Sequence, residues 1–202
     1  YWITSPGCAE KILPSVSADN ILGFSTENVS EELPVTIVID GKQASFTIKV
    51  VDYVIKDGVL TEVLMKEGEE YRLPTDVKVI ASSAFASCSF NKIILNEGLE
   101  EIQADAFSNN PVKEIVFPES LKKIGEYCFY GCWNLIQLDL GHTQIKTIPM
   151  RALSNVAAET IVLPASLEEI SSQSLLHTDN LRSIALPESL KKIGIEAFRE
   201  SG

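Results

Sequence analysis

One motif recurs along most of the chain at near-constant spacing, and no other feature constrains the fold as much. Aligned on Leu-Pro-x-x-Leu-x-x-Ile, its copies start at Leu73, Leu95, Phe117, Leu140, Leu163 and Leu186, with spacings of 22, 22, 23, 23 and 23 residues. Each start leads to an isoleucine: Ile80, Ile102, Ile124, Ile148, Ile170 or Ile193. Five residues later comes a large apolar side chain: Phe85, Phe107, Phe129, Leu153, Leu175 or Phe198. Short apolar-x-apolar runs then lead into the next start, such as Ile115-Val116-Phe117 and Leu138-Asp139-Leu140. The octapeptide Pro-Glu-Ser-Leu-Lys-Lys-Ile-Gly occurs twice, at 118–125 and 187–194.

A unit of this size cannot bury its apolar face alone, because ordering its backbone costs more than its own few inward side chains return. Stacked units share a core, which predicts a solenoid. Period-2 alternation in the apolar-x-apolar runs predicts one parallel strand per unit. The segment Ser82-Ser83-Ala84-Phe85-Ala86-Ser87-Cys88 is long enough for one or two helical turns, so a short helix is expected there and in its counterparts.

The extended pattern Leu-Pro-x-x-Leu-x-x-Ile-x-x-x-Ala-Phe-x-x-Cys-x-x-Leu-x-x-Ile-x-Leu resembles the BspA-like leucine-rich repeat family of bacterial surface proteins. The match is best at 117–140 and 73–95 and covers 73–202. Leu153 and Leu175 replace Phe, and Gly141-His142 replaces Pro-x. The last copy stops at Gly202 before its strand, which reads as a fragment or as a solenoid lacking a C-terminal cap.

Upstream, Val35, Ile37 and Ile39 alternate with polar residues, as do Phe46, Ile48 and Val50, and Asp40-Gly41 lies between them. This is a hairpin signature. From Ile21 to Val50 the sequence resembles the last strands of a bacterial immunoglobulin-like domain, and such sandwiches run to roughly 70–100 residues. The expected organisation is therefore a truncated or reduced immunoglobulin-like β domain over 1–51 and a solenoid over 52–202. Residues 53–72, with Asp57-Gly58 as a second turn, are read as an N-terminal capping hairpin. The expected fold is β-rich mixed α/β: a right-handed leucine-rich-repeat solenoid of parallel strands and short helices, preceded by a small antiparallel immunoglobulin-like β-sandwich.

Composition excludes several functions. Of 202 residues 45% are hydrophobic, with 17 Lys and Arg against 28 Asp and Glu, giving a net charge of −11. That balance is globular rather than disordered and repels phosphate backbones, so no nucleic-acid partner is expected. No apolar run reaches the ~18 residues of a membrane-spanning helix. The chain begins at Tyr1 without a basic or apolar leader, which says nothing about compartment.

Parts for catalysis are few. Cys88 and Cys132 each follow a repeat Phe by three residues, two repeats apart. At a strand spacing of about 4.8 Å that separation is roughly 9–10 Å, beyond the ~7 Å a disulfide spans. Both read as small buried thiols. Cys128 and Cys132 are four apart with His142 ten further on, too sparse a set for zinc. Cys8 has no obvious partner, and a bond to Cys88 or Cys128 stays open. His142 and His177 read as exposed loop residues. No Gly-x-Ser-x-Gly elbow and no Gly-rich phosphate loop occur. No enzyme activity, cofactor or metal is expected.

The Leu-x-x-Ile segment of each unit is read as a turn, and it carries charges in repeat-locked pairs: Glu100-Glu101, Lys122-Lys123, Lys146-Thr147, Glu168-Glu169 and Lys191-Lys192. Neighbouring units tend to face opposite charge, as surface ladders worth about 0–1 kcal/mol per pair or as a docking face. The strand face offers a second surface. Its outward column is Ile94, Val116, Asp139, Val162 and Ala185, flanked by Lys92, Glu114, Gln137, Thr160 and Ser183. Three β-branched apolar residues in one exposed column make a patch that soluble monomers usually avoid. These ten residues are the candidate partner-binding site.

The expected function is a non-catalytic interaction protein that binds a protein partner through this face. The resemblance implies an exported, extracellular or cell-surface bacterial protein that adheres to host matrix or to another bacterial surface protein. The alternative is a spacer displaying another domain of a larger surface protein.

Overall fold

In the computed structural model the chain divides into two compact units, Tyr1–Asp52 and Tyr53–Gly202. Residues 53–202 are described with their side chains, and within the first 52 residues five strands are described by backbone pairing alone. These are β1 (Trp2–Thr4), β2 (Ile12–Val16), β3 (Leu22–Thr26), β4 (Glu32–Ile39) and β5 (Lys42–Lys49). They form an antiparallel sheet β1-β4-β5 and an antiparallel pair β2-β3. The β4–β5 ladder runs from Glu32 opposite Lys49 to Ile39 opposite Lys42, the hairpin expected over 35–50. The immunoglobulin-like sandwich read over 1–51 turns on connections and side-chain packing outside the described residues.

The second unit opens with an antiparallel hairpin of β6 (Tyr53–Lys56) and β7 (Val59–Val63). Asp57 and Gly58 connect them at φ 52° and 76°, the paired positive dihedrals that suit a two-residue hairpin. The hairpin ends at Val63. The next strand, β8 (Glu67–Arg72), leaves it and pairs in parallel with β10 (Ser89–Ile94). From there a solenoid of about six turns carries two strand columns rather than the one expected.

The first column continues from β7 through β9 (Val79–Ile80), β11 (Glu101–Ile102), β13 (Lys123–Ile124), β15 (Thr147–Ile148), β17 (Glu169–Ile170) and β18 (Lys192–Ile193). The second runs from β8 and β10 to β12 (Glu114–Val116), β14 (Gln137–Asp139) and β16 (Thr160–Val162). The Leu-x-x-Ile segment, expected as a turn, is thus itself a short parallel strand.

The expected short helices are absent among the described residues, and the solenoid is β structure and turns. Residues 82–87 and their counterparts are turns in which two positions, four apart, take left-handed backbone: Ser83 and Ser87, Asp105 and Asn109, Tyr127 and Gly131, Arg151 and Asn155, Gln173 and His177, Glu196 and Glu200. An α-helix would direct its N–H groups along itself. The left-handed residue turns its N–H toward the next coil instead. Asp105 donates to the Glu126 carbonyl at 3.0 Å, Asn109 to Tyr130 at 2.7 Å, Gln173 to Ile195 at 3.0 Å and His177 to Arg199 at 3.1 Å. Left-handed backbone costs roughly 1–2 kcal/mol at a non-glycine residue, and it persists because the stacked carbonyl would otherwise lose its donor.

Between these two positions the repeat Phe points inward. Phe85 and Phe107 stack at 4.5 Å between centroids, and Phe107 and Phe129 at 5.4 Å. Leu153 and Leu175 continue the file, fully buried. Their amides donate up the stack as well: Phe85 to Ala106, Phe107 to Cys128, Phe129 to Ala152, Leu153 to Ser174 and Leu175 to Ala197. The serine of the repeated octapeptide explains itself. Ser120 Oγ donates to the Leu99 carbonyl at 2.8 Å and Ser189 Oγ to Leu167 at 2.6 Å, in each case one coil back. Its closing glycine does too: a Cβ on Gly125 would run into the backbone of Gln103 and Ala104, and one on Gly194 into Ser171 and Ser172.

Phe107 touches an aromatic ring on both sides, so Phe107→Ala is expected to cost about 3–5 kcal/mol in urea unfolding. Val116→Ala, on the outer wall, should stay within about 0.5 kcal/mol of the wild type. Equal effects would contradict the shared file.

Candidate recognition face

The second strand column forms the outer wall on which the candidate residues sit. Alternation buries Ile93, Ile115, Leu138 and Ile161 and turns their neighbours outward. Parallel register sets Ile94 beside Val116 and Lys92 beside Glu114, then Asp139 beside Val162 and Gln137 beside Thr160. Thr160 bridges to Ser183. Val116 is 40% exposed and Val162 49%. Asp139 and Ala185 are exposed, whereas Ile94 is half-buried. Asp139 lies between the two valines, so the apolar column is interrupted rather than continuous. In the flanking column the Lys92 ammonium meets the Glu114 carboxylate at 2.6 Å.

Three one-residue insertions decide where the two strand columns are not regular. From Phe107 to Ile115 is eight residues, but from Phe129 to Leu138 is nine, and so is Leu175 to Ile184. From Leu140 to Ile148 is eight, where the other copies have seven. These are the three places where the repeat spacing steps to 23. Each coincides with a lapse in strand pairing. β12 and β14 form no ladder, β13 and β15 form none, and β16 meets the following coil at the single Thr160–Ser183 bridge. An extra residue ahead of a short strand shifts its peptide groups out of step with the strand below.

The first lapse opens a groove of about 430 Å³ lined by Lys113, Glu114, Trp133, Asn134, Ile136 and Gln137. Trp133 and Asn134 occupy the lengthened loop, which the Asn134 amide ties back to the Pro111 carbonyl at 3.2 Å. Trp133 is 51% exposed and Ile136 54%. The structure therefore brings two of the ten candidate residues, Glu114 and Gln137, together with four that the repeat pattern did not single out. The step from 22 to 23 residues was the available signal, since it marks where a side chain leaves the repeat register.

The charged pairs of the first strand column form ion pairs between coils. Lys122 meets Glu100 at 3.0 Å, Lys123 meets Glu101 at 2.8 Å, Lys191 meets Glu168 at 2.6 Å and Lys192 meets Glu169 at 2.9 Å. Lys146 also reaches Glu168, at 3.6 Å. The hydrogen bond from Lys191 holds the Glu168 carboxyl below its ordinary value, and that from Lys192 does the same for Glu169. Cys88, Cys128 and Cys132 are free and buried. Burial pushes the Cys132 thiol up to about 12 and Cys128 well up, so neither supplies a thiolate at neutral pH. His142 and His177 are exposed, with His177 Nδ1 2.9 Å from Glu200. Among the described residues no three His, Cys, Asp or Glu side chains converge on a metal-sized site. Among them too, no helix is long and apolar enough to cross a membrane.

Stacked parallel coils, an aligned apolar file and two columns of short parallel strands define a leucine-rich-repeat β-solenoid, a class of generally non-catalytic binding scaffolds. The region described as BspA type leucine-rich repeat matches residues 78–202 in six copies, and the chain belongs to that family. A leucine-rich repeat protein from Eubacterium ventriosum is 22% identical with a TM-score of 0.55, over 74% of this chain and 50% of its own. The chain thus spans about half the length of that protein. The leucine-rich repeat protein of T. pallidum is 21% identical with a TM-score of 0.51, over 69% and 79%. A leucine-rich cell surface protein from Faecalibacterium prausnitzii is 19% identical with a TM-score of 0.50, over 77% and 38%. At these identities the likeness is one of fold. No curated protein sequence is significantly similar to the chain.

Two outcomes follow from the electrostatics. In a Cys8→Ser protein the three remaining thiols should resist Ellman's reagent in the folded state and react fully in denaturant; rapid reaction of the folded protein would contradict their burial. Glu168 and Glu169 are depressed below their ordinary 4.5, so their stabilisation is present above that value and lost as pH falls through the lowered folded values. Replacing both Lys191 and Lys192 by Met should therefore move the acid-unfolding midpoint to higher pH. An unchanged midpoint would show that the ion pairs contribute nothing.

Proposed function

We propose that this protein is a non-catalytic recognition module of the bacterial cell surface, holding a protein partner by the outer wall of its second strand column. The observation that carries this reading is the exposure of Val116 and Val162 on a rigid wall. They flank Asp139, and the Lys92–Glu114 pair and the polar side chains of Gln137, Thr160 and Ser183 border them. An apolar centre with a polar rim is the anatomy of a protein interface. Solenoids present such walls without needing to rearrange, which limits the entropy lost on binding. Adhesion to host matrix or to another bacterial surface protein is the corresponding biological role, and its support is the family membership together with the likeness to the cell surface protein of F. prausnitzii. A spacer role for the solenoid draws support from the regular ion-pair ladder and from the larger size of the E. ventriosum protein.

The two readings separate on one variant. Ile94, Val116 and Val162 changed together to Lys should abolish capture of a partner from host-matrix and bacterial-surface fractions while the thermal unfolding transition stays intact. Capture unchanged by the triple substitution would reject the wall as the binding face and leave the spacer.

A further inference from the structure

Apart from the protein-binding wall, we infer that the groove between β12 and β14 binds a neutral saccharide, with Trp133 as the platform for a sugar ring.

Three observations converge there. The indole of Trp133 and the side chain of Ile136 are each more than half exposed, whereas Phe85, Phe90, Phe107 and Phe129 are buried in the core. A tryptophan costs much when left in water, and this one stands at an insertion rather than at a repeat position. Second, the groove is bordered by exposed hydrogen-bonding groups that are left to solvent rather than paired with other described residues. The Lys113 ammonium and the Gln137 amide have no partner, and no backbone hydrogen bond joins Glu114–Val116 to Gln137–Asp139. Third, the volume of about 430 Å³ falls within the range of small-ligand sites and holds roughly one or two pyranose rings.

The chemistry of these groups selects the ligand. A sugar ring has one face of electropositive C–H bonds, which suits the negative face of an aromatic ring. Its rim of hydroxyls both donates and accepts. It can therefore replace water on Gln137, on Lys113 and on the unladdered peptide groups at once. A purely apolar side chain would strip water from those groups without replacing it, at a cost of about 1–3 kcal/mol for each polar group left unpaired. An anionic ligand meets a chain of net charge −11, and the cation beside Trp133 has Glu114 as its neighbour in sequence.

The test uses the full chain with Trp2→Phe, which leaves Trp133 as its one indole. Neutral oligosaccharides of glucose, mannose, galactose, xylose and N-acetylglucosamine are titrated to about 10 mM. At least one should change the Trp133 emission saturably. By calorimetry Trp133→Ala should abolish that binding and Gln137→Ala weaken it about tenfold or more, while Val162→Lys, on the wall outside the groove, leaves it unchanged. Both substituted side chains are exposed, so the unfolding transition should not move. The inference is overturned if no saccharide perturbs the emission, if Trp133→Ala binds as well as the wild type, or if a polyglutamate peptide saturates the signal where the sugars do not. Loss of binding in Val162→Lys alone would place the sugar on the wall and overturn the groove as its site. Gln137 borders both the groove and the wall, so the Trp133→Ala result decides for the groove, and capture of a protein partner is read in none of these measurements.

Discussion

Everything in the solenoid depends on where the backbone N–H groups point. In a globular helix they close on their own segment, and in a sheet they close on a neighbour from elsewhere in the chain. Here they are directed along the stack, from each coil to the one beside it, on all sides of the coil. The strand columns do this by parallel pairing. The third side does it through left-handed residues placed four apart. That choice explains why residues as unlike as Asp105, Asn109, Tyr127, Asn155, Gln173 and His177 share one backbone conformation. The conformation is imposed by the carbonyl waiting in the next coil, not by the side chain.

Shared burial follows from the same arrangement. With every coil held one hydrogen bond from the next, equivalent side chains stand at stacking distance, and the rings of Phe85, Phe107 and Phe129 form one file. Leu153 and Leu175 continue it with less volume and no aromatic contact, and both are fully buried. The ion pairs between Glu100-Glu101 and Lys122-Lys123 sit on the outside of the same spacing. Exposed as they are, they do more to penalise a slipped register than to raise stability.

Much of this was legible in the residues. The repeat, the inward file, the strands of the outer wall and the buried thiols Cys88 and Cys132 all follow from period and residue type. What was not legible has physical causes. The length of Ser82–Cys88 suggests a helical turn because local sequence does not record a hydrogen bond to a residue some 22 positions away. Leu-x-x-Ile reads as a turn because two-residue strands are too short to show alternation. The groove was missed for a related reason: aligning the repeat by its apolar positions treats an inserted residue as a gap, and so discards Trp133, the side chain that the insertion places at the surface. Of the candidate site, the strand columns could be drawn from alternation alone. Ile94 is less exposed than the pattern implied, because alternation gives direction and not depth.

The most direct measurement is native-state hydrogen exchange of the full chain, read at the amides of Phe85, Phe107, Phe129, Leu153 and Leu175. These lie in turn segments that an ordinary surface loop would leave open to solvent. Donation to the next coil predicts that they exchange as slowly as the strand amides of Glu101 and Lys123, which donate to Lys78 and Glu100, and that their protection collapses together as denaturant is added. Rapid exchange at Phe107 and Phe129 while the strand amides remain protected would contradict a stack held together on every side.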